Sequence, residues 1–346
     1  MLKVFRTTLL CFPPNLPPIM NPAKRLRPCP FKILELPEEL INHTLTYCGS
    51  RTLKQLRSTC RKIARIASPL LFSVVHIYPS RRRVRNFIAL AATENFCQMV
   101  KHIVFYIQPL GNAASEDLHR VVGSFTNLES IIVTTHYRTW MSYYERVEEY
   151  TSFNYLLPVI KKAAACQRLQ SLKINPGCDL FWLQQSNEGY WPPVSEEGAK
   201  LRYQEMGVAF ISLRRLEITE LRNEIYMVGR VAIFIQQLRK LEELEISYDS
   251  TAMLVNRAYT LDDDLPAQLQ QKVSCPGLWR LKLAVPTTQQ SLTVFLEQFA
   301  DSLQFLDIER VLFAYVGPWR NEGPDEVFVA EISRRLSLCK SIKYEI

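Results

Sequence analysis

The sequence predicts an α/β fold in which a short all-helical module precedes an irregular parallel sheet. Three observations predict it. Apolar residues recur at intervals of three or four between Leu36 and Ala67, which is helical spacing. A short apolar-x-x-apolar-x-apolar motif then recurs along the rest of the chain, and helix-compatible stretches separate its copies. Strands that alternate with helices along a chain form parallel sheets, so we expect one sheet with helices packed on it.

The segment before the helical module is rich in proline and basic residues. Residues 1–31 contain seven prolines and no Asp or Glu. Proline supports neither a continuous helix nor a strand ladder, so the segment is predicted to be a disordered basic tail. The net charge of +8 has two explanations, a soluble protein with a basic tail or a nucleic-acid-binding surface, and the first is favoured.

The helical module is predicted to span residues 32–75. Pro37 suits the first position of a helix, Ser50 can cap the next helix, and Pro69 is expected to end the module. A unit this small can scarcely bury enough surface to fold alone, which favours a binding module. The alternative is an ordinary helical hairpin that caps the sheet.

The segment from Leu36 to Phe72 resembles an F-box, especially the form common in large fungal families. The matching residues are Leu36-Pro37, Glu39-Leu40, Leu53, Leu56, Cys60-Arg61 and Ser68-Pro69-Leu70-Leu71-Phe72. Thr44, Ser50 and Ile63 depart from the usual pattern. The resemblance implies docking on a Skp-type adaptor and, through it, on a cullin–RING ubiquitin ligase. The residues implied in adaptor binding are Leu36, Pro37, Leu40, Ile41, Leu45, Leu53, Leu56, Cys60 and Ile63.

The strand motif recurs through residues 76–346. Its copies are Val100/Ile103/Phe105, Leu128/Ile131/Val133, Leu169/Leu172/Ile174, Leu213/Leu216/Ile218, Leu241/Leu244/Ile246, Leu278/Leu281/Leu283, Leu303/Leu306/Ile308 and Cys339/Ile342/Tyr344. The pattern resembles the strand of leucine-rich repeats, which span roughly 20–29 residues. Here the intervals run from 25 to 44 residues, so we predict a degenerate leucine-rich-repeat-like solenoid that binds a protein substrate. An unrelated α/β domain with Leu-rich strands is the alternative.

Residues that point outward from the motifs are candidates for substrate binding. Charge along this predicted row changes from polar through basic to acidic, and the candidates on it are Arg214, Arg215, Trp279 and Arg280. Two aromatic-rich segments, 136–155 and 180–203, are predicted to be loops at the rim of the same face. Tyr143, Tyr144, Trp182 and Trp191 are their candidate anchors, since aromatic side chains are common at interface hot spots. They could instead cover apolar edges of their own repeats.

The sequence carries no recognisable catalytic or metal-binding pattern. No nucleotide-binding glycine loop, G-x-S-x-G, H-E-x-x-H or C-x-x-C motif occurs. The acidic run Asp262–Asp264 lacks the spacing of a calcium loop and is predicted to be a solvated turn. Arg81, Arg82, Arg83 and Arg85 form a basic cluster that could bind phosphate or an acidic peptide, although a charged helix entry is favoured. We therefore expect no enzyme activity, cofactor or metal.

Cellular location follows from the cysteines and the lack of long apolar runs. Nine cysteines lie scattered through the chain, as is typical of a reducing compartment. No apolar run approaches the roughly 18 residues of a membrane span, so no membrane partner is predicted. The predicted function is a non-catalytic substrate-recognition subunit of a Skp–cullin–F-box ligase, in the cytoplasm, the nucleus or both. The alternative is a repeat-based interaction scaffold not linked to ubiquitination.

Overall fold

The computed structural model describes most of the region beyond the basic tail. The described residues are 33–78, 81–93, 95–107, 112–135, 158–166, 168–175, 196–221, 225–248, 264–269, 275–285, 287–309 and 326–345. The chain divides into two compact units, one ending at Tyr47 and the other beginning at Cys48. The predicted tail, residues 1–31, lies outside the described residues.

The first unit contains a 3-10 turn, Ile33–Glu35, and helix α1, Glu38–Thr46. Pro37 is the N-cap of α1, so the helix begins one residue later than predicted. Ile41 and Leu45 are buried, whereas Leu40 and Tyr47 are exposed. The helix is therefore amphipathic, and Leu40 is an apolar side chain left on its exposed side.

The second unit begins with helices α2, Ser50–Arg57, and α3, Arg61–Phe72. The prediction that Ser50 caps α2 is wrong, because Gly49 is the N-cap and Ser50 is the first helical residue. Cys60 caps α3, and its Sγ accepts a hydrogen bond from the Ile63 amide at 3.5 Å.

The prediction that Pro69 ends the helical module is also wrong, because α3 continues through Pro69 to Phe72. Proline removes one backbone donor from a helix and leaves a carbonyl one turn earlier without its usual partner. Pro69 is exposed, and so is Arg65 one turn earlier, so solvent reaches this turn of the helix. Water can hydrate such a carbonyl, which lets the helix continue.

The described part of the second unit is dominated by one parallel sheet. Nine strands pair in sequence order, which confirms the predicted α/β class and parallel sheet. The strands are β1 Val74–Ile77, β2 His102–Ile107, β3 Ser130–Thr135, β4 Ser171–Asn175, β5 Arg215–Leu221, β6 Glu243–Tyr248, β7 Arg280–Ala284, β8 Phe305–Glu309 and β9 Ser341–Glu345.

The motif residues lie in register across the sheet and form its core. Leu172 pairs with Leu216, Leu216 with Leu244, and Leu244 with Leu281. All four are buried, as the motif predicted, and none exposes more than 3% of its surface. Successive residues of a strand point to opposite faces, so the intervening residues face away from this core.

Strand β1 was not predicted, although it follows the same pattern. Phe72, Val75 and Ile77 have the spacing of the motif, and Val75 pairs with Ile103. Phe72 and Val75 pack against the buried core cluster. The expected stop at Pro69 concealed this copy, because the segment after it was assigned to the helical module.

A backbone arrangement recurs at the start of every strand from β2 to β9. Two consecutive backbone amides at the start of a strand donate hydrogen bonds to one carbonyl, that of the residue just before the preceding strand. The Lys101 and His102 amides donate to the Ser73 carbonyl, both at 2.9 Å, and the Lys340 and Ser341 amides donate to the Gln304 carbonyl at 2.8 and 3.2 Å. Each of these strands therefore begins with the same backbone geometry, although the number of residues between successive strands differs.

Helices connect the strands and cover one face of the sheet. They are α4 Arg81–Ala91, α5 Phe96–Met99, α6 Asn112–Val122, α7 at residues 158–164, α8 Glu196–Ala209, α9 Ile225–Ile235, α10 Leu265–Leu269, α11 Gln289–Glu297 and α12 Glu326–Arg335. Buried side chains of these helices and of the strands form one continuous cluster. The stretches Val84–Ala92, Tyr155–Ala165, Val228–Leu238 and Leu292–Phe299 were predicted to be helix-compatible, and each overlaps an observed helix.

Two predictions about irregular segments need correction. Residues 196–203, assigned to an aromatic loop, form the first turns of α8, and Tyr203 is buried in the core. Asp264, assigned to a solvated turn, is fully buried and accepts hydrogen bonds from the Ala267 and Thr288 amides and from the Thr287 hydroxyl. Neither result was visible locally, because both depend on contacts with elements that follow later in the chain.

Helices α8 and α9 approach each other closely at Gly207. A Cβ at this position would lie 2.5 Å from the Gln237 Cβ and 2.9 Å from the Phe234 carbonyl oxygen. We expect Gly207→Ala to lower the free energy of unfolding by roughly 1–3 kcal/mol, because a backbone carbonyl cannot move without displacing α9. Denaturant titration measures this change.

Gly229 provides the matched control for this prediction. It lies inside α9, and a Cβ there would meet nothing within 4 Å. Gly229→Ala should raise stability by roughly 0.5–1 kcal/mol, since alanine loses less backbone entropy in a helix. Equal effects of the two substitutions would contradict the close packing of α8 and α9.

Candidate functional site

The sheet face opposite the helices carries ordered rows of side chains. Outward residues of neighbouring strands stand side by side, as in the row Ser130, Ser171, Arg215, Glu243, Arg280, Phe305 and Ser341. These side chains are exposed or half-buried. The face therefore presents a continuous strip of side chains to solvent.

Charged residues dominate this face from β4 to β9, and several of those between β4 and β8 form ion pairs. Glu243 forms ion pairs with Arg215 at 2.8 Å and with Arg280 at 3.7 Å. Lys282 lies 2.9 Å from Glu309 and 3.5 Å from Glu245. The hydrogen bond that Lys282 donates to Glu309 raises the pKa of Lys282, and the charges of the neighbouring carboxylates add to the effect. We call this set of ion pairs the charge ladder; it also includes Lys173 with Glu217.

The charge ladder alters the interpretation of the predicted substrate residues. Arg214 pairs with Glu242 at 2.8 Å, just before the strands, and Arg215 and Arg280 share Glu243. The predicted row exists, but its arginines already pair with acidic side chains of the neighbouring chain segments. An incoming ligand would have to compete with these existing pairs, so the ladder is better suited to holding the surface in register than to attracting a charged partner.

Trp279, the fourth substrate candidate on the row, is half-buried. Its ring packs edge-on against Phe305, with the ring centroids 5.6 Å apart. Phe305 is 39% exposed. The two rings form a small apolar surface beside the charge ladder.

A different surface occupies the β1–β3 end of the same face. Tyr78 and Tyr106 stack with centroids 4.4 Å apart and planes 3° apart. His76 lies alongside, and its Nδ1 is 3.2 Å from the Tyr106 hydroxyl. The Arg83 guanidinium lies over the Tyr78 ring at 4.2 Å. We call His76, Tyr78, Arg82, Arg83 and Tyr106 the aromatic–basic patch.

Partial burial is the main cause that raises the pKa of Tyr106, and its hydrogen bond with Tyr78 adds to the effect. The Tyr106 hydroxyl therefore stays protonated near neutral pH. The patch could not be predicted from the sequence, because its members come from an unpredicted strand, the strand beside it and a helix. The basic cluster at Arg81–Arg85 was the only signal that pointed to it.

The nine residues implied in adaptor binding separate into two groups. Ile41, Leu45, Leu53 and Ile63 are buried, so their side chains support the helices from inside. Leu36, Leu56 and Cys60 are half-buried, and Pro37 and Leu40 are exposed. Only the second group offers side-chain surface to a partner in this conformation.

The four predicted aromatic anchors cannot be placed. Tyr143, Tyr144, Trp182 and Trp191 lie outside the described residues. Their contribution to binding remains a prediction from the sequence.

Cys275 is a buried thiol with a structural role. Burial raises the pKa of the Cys275 thiol to about 11, so the thiol is protonated at neutral pH and a poor nucleophile. Its Sγ donates to the Leu238 carbonyl at 3.0 Å. Within the described residues, no group of three His, Cys, Asp or Glu side chains is arranged to hold a metal ion.

A search for membrane-crossing helices gave a negative result for the described part of the chain. None of its helices combines the length and the apolar character that a crossing requires.

No protein-family model matches the chain, and no curated protein matches it significantly.

Proposed function

We propose that the protein is a substrate-recognition subunit of a Skp–cullin–F-box ubiquitin ligase. One observation carries the proposal: the segment that resembles an F-box folds into the short helices α1, α2 and α3 and leaves Pro37 and Leu40 exposed at its start. In this proposal the helices dock on a Skp-type adaptor, and the sheet face holds a protein substrate. The protein itself contributes binding surface and no chemistry.

The exposed apolar side chains of the first unit support an adaptor surface. Leu40 is 52% exposed and Tyr47 is 79% exposed. They lie seven residues apart, which places them on the same side of α1. Large apolar side chains grouped on one side of a helix commonly mark an interaction site.

The repeat interpretation is supported by the backbone geometry of the sheet. Each strand from β2 to β9 enters with the same pair of hydrogen bonds to its predecessor. The first motif residue also closes the same turn in several copies, as with the Leu169 amide on the Cys166 carbonyl and the Leu278 amide on the Cys275 carbonyl, both at 3.1 Å. We propose that these units form a leucine-rich-repeat-like solenoid with insertions of unequal length.

Adaptor binding provides the direct test. The full chain, co-expressed with a Skp-type adaptor, should co-purify with it through an affinity tag. Leu36→Ala with Pro37→Ala, and separately Leu40→Asp, should abolish co-purification. A charge at Leu40 would have to be desolvated in an apolar interface, which is costly.

Leu338→Asp is the matched control. Leu338 is 58% exposed, similar to Leu40, but it follows α12 near the end of the chain. It should leave adaptor binding intact. Undiminished binding by the Leu36/Pro37 and Leu40 variants would refute this docking surface. A different outcome, in which the unmodified chain does not bind the adaptor, would favour the alternative of an interaction scaffold without a link to ubiquitination.

A further inference from the structure

Strand β9 has one side without a partner strand in the part of the chain that the structure describes. It pairs in parallel with β8 on one side, and no described strand pairs with its other side. Such a side presents a row of backbone N–H and C=O groups that can pair with another chain. We call this side of β9 the open edge.

The backbone carbonyl of Lys340 belongs to a series that runs through the whole sheet. At each step from β1 to β9, the carbonyl just before a strand accepts hydrogen bonds from two consecutive amides of the next strand. The Trp279 carbonyl, for example, accepts from the Gln304 and Phe305 amides at 2.8 and 3.0 Å. Lys340 stands at the same place before β9, and no described amide donates to its carbonyl. This carbonyl is therefore positioned to accept the two amides of a further parallel strand.

The inward side chains of β9 are less covered than those of β8. Leu306 and Ile308 of β8 each expose 1% of their surface. Their register partners on β9, Ile342 and Tyr344, pack against the same core but are only half-buried. A strand added at the open edge would bury more of this apolar surface, and apolar residues at its own inward positions would favour the addition.

Charge on the solvent face indicates which residue the added strand carries between its apolar ones. Glu245, Lys282, Asp307 and Lys343 lie in register on β6 to β9, so acidic and basic side chains alternate from strand to strand. Lys343 is exposed and forms no ion pair with a described residue. Opposite charges on neighbouring strands stabilise their pairing, whereas like charges destabilise it. An acidic side chain is therefore the complementary neighbour for Lys343 at the open edge.

We propose that the open edge of β9 binds an extended segment of a partner protein as an additional parallel strand. The segment has an acidic residue between two apolar residues. Its first amides donate to the Lys340 carbonyl, its apolar side chains continue the core beside Ile342 and Tyr344, and its acidic side chain pairs with Lys343. This inference goes beyond the proposed function, because strand addition depends on the sheet and not on adaptor binding.

The step from β7 to β8 has the same arrangement and supplies a probe. Lys282 occupies in β7 the place that Lys343 occupies in β9, and its register partner on β8 is Asp307. Lys282 also pairs with Glu309, two residues further along β8, at 2.9 Å. A peptide with the sequence of residues 301–310 therefore carries the apolar and acidic side chains that the open edge should accept.

Fluorescence anisotropy with this labelled peptide and the full chain tests the inference without any adaptor. We expect the peptide to bind. A matched peptide is methylated on the backbone nitrogens of Gln304 and Phe305, which removes the two donors and keeps every side chain. It should bind roughly tenfold more weakly or worse, because main-chain hydrogen bonds provide the affinity of an added strand.

A charge exchange tests the position of the acidic side chain. A third peptide carries Lys in place of Asp307 and Glu309, and the unmodified chain should bind it roughly two- to fivefold more weakly than the first peptide. Lys343→Glu should reverse this preference, and Lys343→Gln should remove it. Lys240→Glu changes an exposed residue before β6 and should preserve the preference of the unmodified chain.

Three results would overturn the inference. The chain does not bind the first peptide, or it binds the methylated peptide equally well, or neither variant of Lys343 alters the preference between the acidic and the basic peptide. Sedimentation adds a fourth, a dimer of the chain that the first peptide dissociates, since the open edge would then belong to a second copy. Adaptor co-purification is a separate measurement, so failure of either test leaves the result of the other standing.

Discussion

Leu216→Ala is expected to lower the free energy of unfolding by roughly 2–5 kcal/mol. Leu216 has no exposed surface and lies in register between Leu172 and Leu244 in the middle of the sheet. Its truncation removes apolar contacts and leaves a cavity that strands hydrogen-bonded on both sides cannot close. Urea titration followed by circular dichroism measures the loss as a lower midpoint.

Arg215→Ala is the control for this substitution. Arg215 precedes Leu216 in β5 but points to the solvent face, where it pairs with Glu243. Exposed ion pairs contribute about 0–1 kcal/mol, so the expected change is small. If Arg215→Ala destabilised the protein as much as Leu216→Ala, the assignment of the two faces would be refuted.

The core could be predicted from sequence because its signal is local and periodic. Leu172, Leu216, Leu244 and Leu281 each belong to a short motif that is complete within six residues. Burial of one strand face requires that spacing wherever the strand lies. Unequal intervals between motifs did not weaken the prediction, since insertions occur outside the strands.

The charge ladder and the aromatic–basic patch could not be predicted in the same way. Arg215 and Glu243 are separated by 28 positions in the sequence, and they pair only because the strands align. His76, Tyr78 and Tyr106 come together for the same reason. The sequence gives the identity of the charged residues on the row but not which of them form ion pairs. That pairing decides whether the charges are available to a partner.

The helical module illustrates a related limit. Apolar residues at helical spacing are predicted to lie on one side of a helix. The spacing does not distinguish those that face the core from those at the edge of the buried side. Ile41 and Leu45 are buried, whereas Leu40 is exposed although it belongs to the same pattern. The apolar residues implied in adaptor binding therefore include some that stabilise the helices and others that can contact a partner.

Asp264→Ala is expected to cost roughly 3–5 kcal/mol, more than a typical surface or cap substitution. The Asp264 carboxylate is buried, and its Oδ1 accepts hydrogen bonds from the Ala267 amide at 3.0 Å and the Thr287 hydroxyl at 2.9 Å. Its Oδ2 accepts from the Thr288 amide at 3.1 Å. Alanine would leave three donors without this acceptor in a region where water has little access.

The loss should affect two helices together. Asp264 immediately precedes α10, and the Thr288 hydroxyl caps α11 by accepting from the Ser291 amide at 3.0 Å. One carboxylate therefore fixes the starts of both helices, which are separated by more than twenty residues of sequence. Hydrogen exchange should show faster exchange of the Ala267 and Thr288 amides in the variant, alongside a lower denaturation midpoint.

Asp264→Asn separates the role of the carboxylate from that of side-chain volume. Asparagine keeps one oxygen acceptor but replaces the other with an amide donor that would face the donors of the site. We expect it to be destabilising by about 1–3 kcal/mol, less than alanine but clearly measurable. If both substitutions changed stability by less than about 0.5 kcal/mol, the size of an ordinary surface substitution, Asp264 could not be the residue that joins the two helix starts.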